Sequence, residues 1–229
     1  MHALEAVLAS VAENSADTVW CLGDLVGYGP RPNPCCALVA EHAELSLIGN
    51  HDLGVLGRLD LAEFSPDAAV SARWTAEQLT DEARAYLETL EPQASRAEAA
   101  LYHASALDPV WEYILSAEVA RRSLAATVDA PVVLVGHSHL PLRYGWEQQA
   151  LALCEEGTRL DLARERWLLN PGSVGQPRDG DPRAAYLLLD FEAKQGEYKR
   201  VRYDVGKTQA EIREAGLPEA LAERLAHGL

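Results

Sequence analysis

The sequence predicts an α/β fold, on three observations. Apolar runs of strand length alternate with helical periodicities over the first 139 residues, as in chains built from βαβ units. Three of those runs stop on a glycine followed at once by a metal-ligand residue type: T-V-W-C-L-G-D (Thr18 to Asp24), L-S-L-I-G-N-H-D (Leu45 to Asp52) and V-V-L-V-G-H-S-H (Val132 to His139). After His139 the pattern changes to a succession of strand-like runs. No repeat, low-complexity tract or linker divides the chain, so residues 1–229 read as a single domain with room for a sizeable core.

Taken in order, His2 to Ser15 carries Ala3, Leu4, Val7, Leu8 and Val11 at helical spacing. Thr18 to Gly23 is a buried-strand pattern ending at Asp24. Leu25 to Pro34 holds Gly27, Gly29, Pro30, Pro32 and Pro34, too many breakers for a regular element. A helix follows over Pro34 to Ala43, then a strand over Leu45 to Gly49 that ends at Asn50-His51-Asp52; Leu53 to Phe64 fits no period. Ser65 and Pro66 open a helix to about Gln78, and Thr80 caps another to about Leu90. Ala99 to Tyr102 is a short strand reaching His103. Ser116 to Val128 is helical, and Val132 to Gly136 is the most apolar strand. Leu142 to Trp146, Ala150 to Cys154 and Arg166 to Leu169 are strands, and Asn170 to Arg183 is a long Gly/Pro/Asp-rich loop. Ala184 to Phe191 and Tyr198 to Tyr203 pair as a hairpin, and Thr208 to Gly228 is helical with a break near Gly216 and Pro218. The order begins irregularly: the first helix has no strand before it, although a βαβ arrangement calls for one.

The net charge of −15 opposes non-specific nucleic-acid binding, which needs basic surface. It leaves room for a small phosphate held by metal ions, which supply positive charge locally. No stretch approaches the length of a membrane span, and no secretory leader opens the chain. Cys21, Cys35, Cys36 and Cys154 form neither a disulfide framework nor a thiolate zinc pattern, so a reducing, cytoplasmic setting is expected.

The residues that carry chemistry are Asp24, Asn50, His51, His103, His137 and His139. All but His103 follow a Gly-terminated apolar run, and in α/β sheets such strand ends crowd at the edge where ligands bind. A carboxylate, an amide oxygen and several imidazoles form a mixed O/N set suited to a divalent transition metal rather than to calcium. Asp24 has two oxygens and can bridge two ions, with His137 and His139 each facing a different one. A two-ion site acidifies a bound water and clamps both oxygens of a phosphoryl displacement, which points to phosphate-ester hydrolysis.

In its ordered set of G-D (Gly23-Asp24), G-N-H-D (Gly49 to Asp52), His103 after a strand and G-H-S-H (Gly136 to His139), the chain resembles the calcineurin-like metallophosphoesterases. G-D-L-V-G-Y-G-P from Gly23 to Pro30 and N-P-G-S-V-G-Q-P-R-D-G-D-P from Asn170 to Pro182 look like its bacterial phosphodiesterase and diadenosine-tetraphosphatase-related branch. The resemblance implies a four-layer α/β/β/α sandwich of two mixed sheets. It implies two ions drawn from Mn, Fe, Zn, Ni or Co, with Asp24 bridging them. Asn50, His103 and His137 would complete the second ion and His139 would serve the first. His51 would stand by the leaving group as hydrogen-bond donor or general acid, while a metal-bridging hydroxide attacks phosphorus.

Members of the family open with a strand ending in D-x-H-G-N, whose Asp and His bind the first ion. This chain opens on what resembles the helix that follows that strand. The first ion would then keep Asp24 and His139 alone, so the expectation is an impaired first site, one ion in this chain, and lowered stability or pairing with another chain. Ala104 stands where the family usually has Gly, with little effect expected. The rival expectation is a non-catalytic protein of the same fold that binds metal or phosphate, or acts as an interaction scaffold.

Each residue also has a plain structural role to weigh. Asp24 and Asn50 are turn formers, His103 fits an ordinary core histidine, and His51 can simply hold its loop. Tyr28 and Arg178 are candidates for contacting a small phosphate-ester or nucleotide substrate. Equally, Tyr28 can pack, and Arg178 can pair with Asp179 or Asp181. Arg31 fits a pocket wall or solvent, His42 and His227 sit on helix surfaces, and the five tryptophans read as core or hinge packing. The substrate and the oligomeric state, self-association included, are left open.

Overall fold

A computed structural model describes residues 1–229. Helix α1 (His2–Glu13) leads into the short strand β1 (Trp20–Cys21), helix α2 (Pro32–His42) and strand β2 (Leu45–Ser46), which pairs parallel with β1. Helices α3 (Asn50–Val55), α4 (Pro66–Gln78) and α5 (Asp81–Glu88) follow, then strands β3 (Gln93–Arg96) and β4 (Ala99–Tyr102). Helix α6 (Ala117–Ala125) precedes β5 (Val132–Val135), β6 (Pro141–Gly145), β7 (Ala150–Leu153), β8 (Arg159–Asp161), β9 (Trp167–Pro171), β10 (Ala184–Asp190) and β11 (Gln195–Val201). Helices α7 (Val205–Glu214) and α8 (Glu219–Glu223) close the chain.

Period-two side-chain alternation sorts these elements into layers. The six-stranded sheet has the order β3-β4-β5-β9-β6-β7, with β4, β5 and β9 mutually parallel. Leu101, Leu134 and Leu169 point from it into a core shared with Leu160 and Tyr198 of the β10-β11-β8 sheet, with Leu47, and with Trp20 and Leu22 around β1. The alternate residues Ala100, Val133, Val135 and Leu168 point the other way, onto Ala120 and Leu124 of α6. On the far side of the molecule, Ala184 and Tyr186 of β10 pack under Ala3 and Val7 of α1. Helix, sheet, sheet and helix thus follow one another, the mixed α/β architecture expected of the sequence.

The edges differ from expectation where local signals are weak. Helix α2 starts at Pro32, two residues early, because either proline tolerates a first-turn position. The strand before Asn50 is shorter than its apolar run, and α3 begins at Asn50 itself; Gly49 takes an extended conformation at its N-cap. Strands β3 and β8 were not expected; both are short, mostly polar and lie at sheet edges. The C-terminal helices break where read, at Gly216 with φ +69° and at Pro218. No helix is long and apolar enough to cross a membrane.

Candidate metal centre

The ligand-type residues converge because parallel strands deliver them to one edge. His103 leaves β4 and His137 leaves β5, its parallel neighbour, and the Gly136 N–H donates to the His103 carbonyl at 2.8 Å. Asp24 follows β1, and Asn50 and His51 start α3 after β2. The turns are tight. Asp24, His137 and His139 all have φ between 54° and 61°, the left-handed region that ordinary residues avoid at a cost of about 1–3 kcal/mol. Two glycines make the approach possible. A Cβ on Gly23, whose φ is +95°, would lie 2.7 Å from His103 Nδ1, and one on Gly49 would lie 2.1 Å from Asp24 Oδ1.

Asp24, His103 and His137 each offer a ligand atom, all within 4.8 Å of one another. The Asp24 carboxylate is fixed by one oxygen: Oδ1 accepts the His51 backbone N–H at 2.9 Å. Its Oδ2 is buried without a partner, 3.5 Å from His103 Nε2 and 3.9 Å from His139 Nε2. Asn50 Oδ1 lies 3.3 Å from His103 Nε2, completing an oxygen and nitrogen set around one point. The imidazoles are held in the ligating sense. His103 Nδ1 donates to the Leu22 carbonyl at 2.7 Å and His139 Nδ1 to the Gln176 carbonyl at 2.8 Å, turning each Nε2 lone pair inward. His137 Nε2 is buried with no partner. Buried polar atoms without partners are rare in folded proteins, and both of these belong to the three-residue cluster. A divalent transition-metal ion would satisfy them, and the mixed oxygen and nitrogen donor set fits such an ion.

The electrostatics agree. Burial favours the neutral Asp24 carboxyl, but the surrounding His103, His51 and His139 outweigh it and hold the group well below the usual carboxylate range. Burial pushes His137 down to about 3 and His51 down to about 4, and it lowers His139 as well, so these three rings are neutral ligand-type groups near pH 7. Asp52 lies beneath the site with no exposed surface. Burial and the Asp24 charge raise its pKa, while its two oxygens accept the Gly49 and Val26 backbone N–H groups at 2.9 and 3.0 Å. It therefore ties the Asp24 loop to the Asn50 turn, a role hidden in the sequence because Asp52 reads as one more strand-end residue.

Around the ligands the structure adds residues that the sequence did not mark. Asn170 donates to the Gly136 carbonyl at 2.6 Å and to Ser138 Oγ at 3.0 Å, fixing the G-H-S-H turn from β9. Tyr113 stacks on His137 at 3.9 Å, and Trp111 meets the same ring edge-on, so one tryptophan expected in the core instead lines the centre. The rings of His51 and Tyr28 pack with centroids 4.0 Å apart and a tilt of 39°, and His51 meets Phe64 edge-on. Arg178 pairs with neither Asp179 nor Asp181. It donates to Tyr28 Oη at 3.2 Å and to Gln176 Oε1 at 2.8 Å, while Asp179 binds Arg200 and Asp181 binds Arg183. Arg31 is engaged elsewhere, with Glu211. The centre opens into a cavity of about 780 Å³ that runs between the outer edges of β1 and β10, under α1.

An α/β/β/α sandwich with a buried Asp/His/His cluster at its strand ends defines a metallophosphoesterase-type protein. The sequence profile of the calcineurin-like phosphoesterase superfamily domain matches residues 1–194, and the chain belongs to that family. It is similar to the crystal structure of a metallophosphoesterase from Sphaerobacter thermophilus, with 44% identity and a TM-score of 0.91 over 100% of this chain and 94% of that one. An uncharacterised protein of Methanocaldococcus jannaschii is 36% identical across 98% of this chain and 92% of its own length. A hypothetical protein from Pyrococcus horikoshii OT3 shares the fold, with a TM-score of 0.82 at 20% identity, over 100% of this chain and 94% of that one.

Proposed function

We propose that this protein hydrolyses a phosphodiester or nucleotide-type phosphate ester at divalent transition metal held by Asp24, Asn50, His103 and His137. The observation that carries the proposal is the meeting of Asp24, His103 and His137 with ligand atoms within 4.8 Å of one another, two of these residues holding a buried atom without a partner, Asp24 Oδ2 and His137 Nε2. A bound ion supplies Lewis acidity toward the phosphoryl oxygens and acidifies a water nucleophile. The chain's own residues do the rest. Asp24, with a pKa well below the usual carboxylate range, is ionised near pH 7, and the Leu22 and Gln176 carbonyls fix the inward tautomers of His103 and His139. His51, neutral at that pH, presents a ring N–H to a leaving-group oxygen rather than serving as the proton source. Arg178 and Tyr28 stand beside His51 and His139 to orient the ester.

The experiment is hydrolysis of bis(p-nitrophenyl) phosphate with added Mn²⁺, alongside metal content per chain. Asp24→Asn and His137→Ala are expected to lower turnover by more than about a hundredfold and to lose bound metal. Unchanged turnover in Asp24→Asn overturns the proposal. A second reading, a one-ion phosphate binder without turnover, draws support from the grouping of Asp24 with His103 and His137 within 4.8 Å, while His139 lies outside that group with its Nε2 3.9 Å from Asp24 Oδ2. One ion per chain, phosphate binding and no hydrolysis would favour that reading.

A further inference from the structure

Helices α7 and α8 and the turn that follows them lie beyond residues 1–194, which the family profile matches. They nevertheless grip both loops that carry Tyr28 and Arg178. On the first loop, Arg31 donates to Glu211 of α7 through Nη2 at 2.6 Å and through Nε at 3.0 Å. Tyr28 itself packs against an apolar cluster of Ile212, Leu217, Leu221, Ala222 and Leu225. On the second loop, the Gly180 N–H donates to the Gly228 carbonyl at 2.9 Å. That contact is close. Gly228 has φ +64°, and a Cβ on it would lie 2.6 Å from the Asp181 backbone.

The two loops meet inside this grip, where Arg178 donates to Tyr28 Oη at 3.2 Å. Neither is fixed by a ladder of its own, since residues 22–31 and 172–183 form no helix or strand. Loops of this kind hold side chains in place through contacts to the rigid elements around them. We propose that the α7–α8 segment is a clamp that sets Tyr28 against Arg178, and that Glu211 and Gly228 are positioning residues for the phosphate group which that pair orients. This rests on the hydrolase function above and adds the element that governs its substrate affinity. The clamp touches no metal ligand. His103 and the G-H-S-H turn have supports of their own, the Leu22 carbonyl and the Asn170 amide, so loosening the clamp weakens phosphate binding and leaves metal binding in place.

The test measures methylphosphonate binding to the Mn²⁺-loaded protein by calorimetry, with KM and kcat for bis(p-nitrophenyl) phosphate beside it. The proteins are wild type, Glu211→Gln, Gly228→Ala, Arg178→Gln, and each clamp variant combined with Arg178→Gln. Each clamp variant alone is expected to weaken methylphosphonate about tenfold and to raise KM in step, with Mn²⁺ affinity kept within about twofold. In the Arg178→Gln background the same substitutions are expected to add less than about a twofold loss, because they act through the Tyr28–Arg178 pair. A purely structural role gives independent, additive losses instead. Unchanged methylphosphonate binding in both clamp variants overturns the proposal, and so do fully additive losses. Circular dichroism establishes that each variant is folded; if Gly228→Ala does not fold, Glu211→Gln decides alone. Failure of the underlying hydrolase function shows separately, as absent turnover by the wild type, and the phosphonate binding still decides the clamp.

Discussion

Gly49 controls the centre from its rim. It allows the Asp24 carboxylate to lie against the backbone that starts α3, a space in which a Cβ would come within 2.1 Å of Oδ1. Gly49→Ala is therefore expected to displace Asp24, to weaken Mn²⁺ binding at least tenfold in calorimetry, and to cost about 1–3 kcal/mol of stability in urea unfolding. A fully retained Mn²⁺ affinity would show that the carboxylate has another place to sit. Asp24, His137 and His139 can hold their left-handed backbones because outside partners fix the turns: the His51 N–H, the Gln176 carbonyl and the Asn170 amide. The glycine preceding Asp24, Asn50 and His137 is legible in the sequence because each Gly-ligand pair is local. The partners are not, since the Asn170 amide acts from 34 residues beyond Gly136.

Among the elements, the long loop between β9 and β10 and the end of α6 carry contacts whose loss is measurable. The loop supplies Gln176 and Arg178 and is anchored by Asp181, whose carboxylate receives the Arg183 Nε at 3.0 Å and Nη2 at 2.6 Å. Those bonds, opposed by partial burial, hold the Asp181 pKa below its ordinary value. Since the folded-state pKa is the lower one, the stabilisation is full above the unfolded pKa of about 4 and is lost as the pH falls through the depressed value. The melting temperature is expected to drop below about pH 4, and Asp181→Asn is expected to lower it at pH 7 while flattening the acid drop. Beyond the C-terminal end of α6, Arg166, just before β9, donates to the Leu124, Thr127 and Ala130 carbonyls and so ties that end of the helix to the sheet. Arg166→Ala is expected to cost about 1–3 kcal/mol in urea unfolding, with Arg166→Lys recovering part of it. Helices α4 and α5 were legible because Ser65-Pro66 and Thr80 mark their starts; Thr80 Oγ1 accepts the Ala83 N–H at 3.3 Å. Strands β3 and β8 were not, because a short polar strand has no period of its own and takes its conformation from its neighbour.

Across the whole molecule the two sheets are joined by more than apolar packing. Tyr198 of β11 is buried, and its hydroxyl donates to the Leu142 carbonyl of β6 at 2.7 Å, spanning the shared core. Tyr198→Phe keeps the ring and leaves that carbonyl without its cross-sheet donor. The expected cost is about 1–2 kcal/mol in chemical denaturation, with an unchanged denaturant slope. The layering followed from the alternation of β4, β5 and β9, which the sequence carries in V-V-L-V and W-L-L. The strand order did not, because β9 inserts between β5 and β6 and so separates strands adjacent in sequence.

The order of apolar run, glycine and ligand type was enough to single out the candidate ligands and the chemistry that suits them. Each such signal is written within a few neighbouring residues, and parallel strands carry their carboxyl ends to a common edge. Only the tertiary structure grouped Asp24, His103 and His137 within 4.8 Å of one another, turned the His103 and His139 rings through the Leu22 and Gln176 carbonyls, and brought Arg178 to Tyr28. Those choices depend on contacts between segments far apart in the chain, where no local pattern encodes distance or direction.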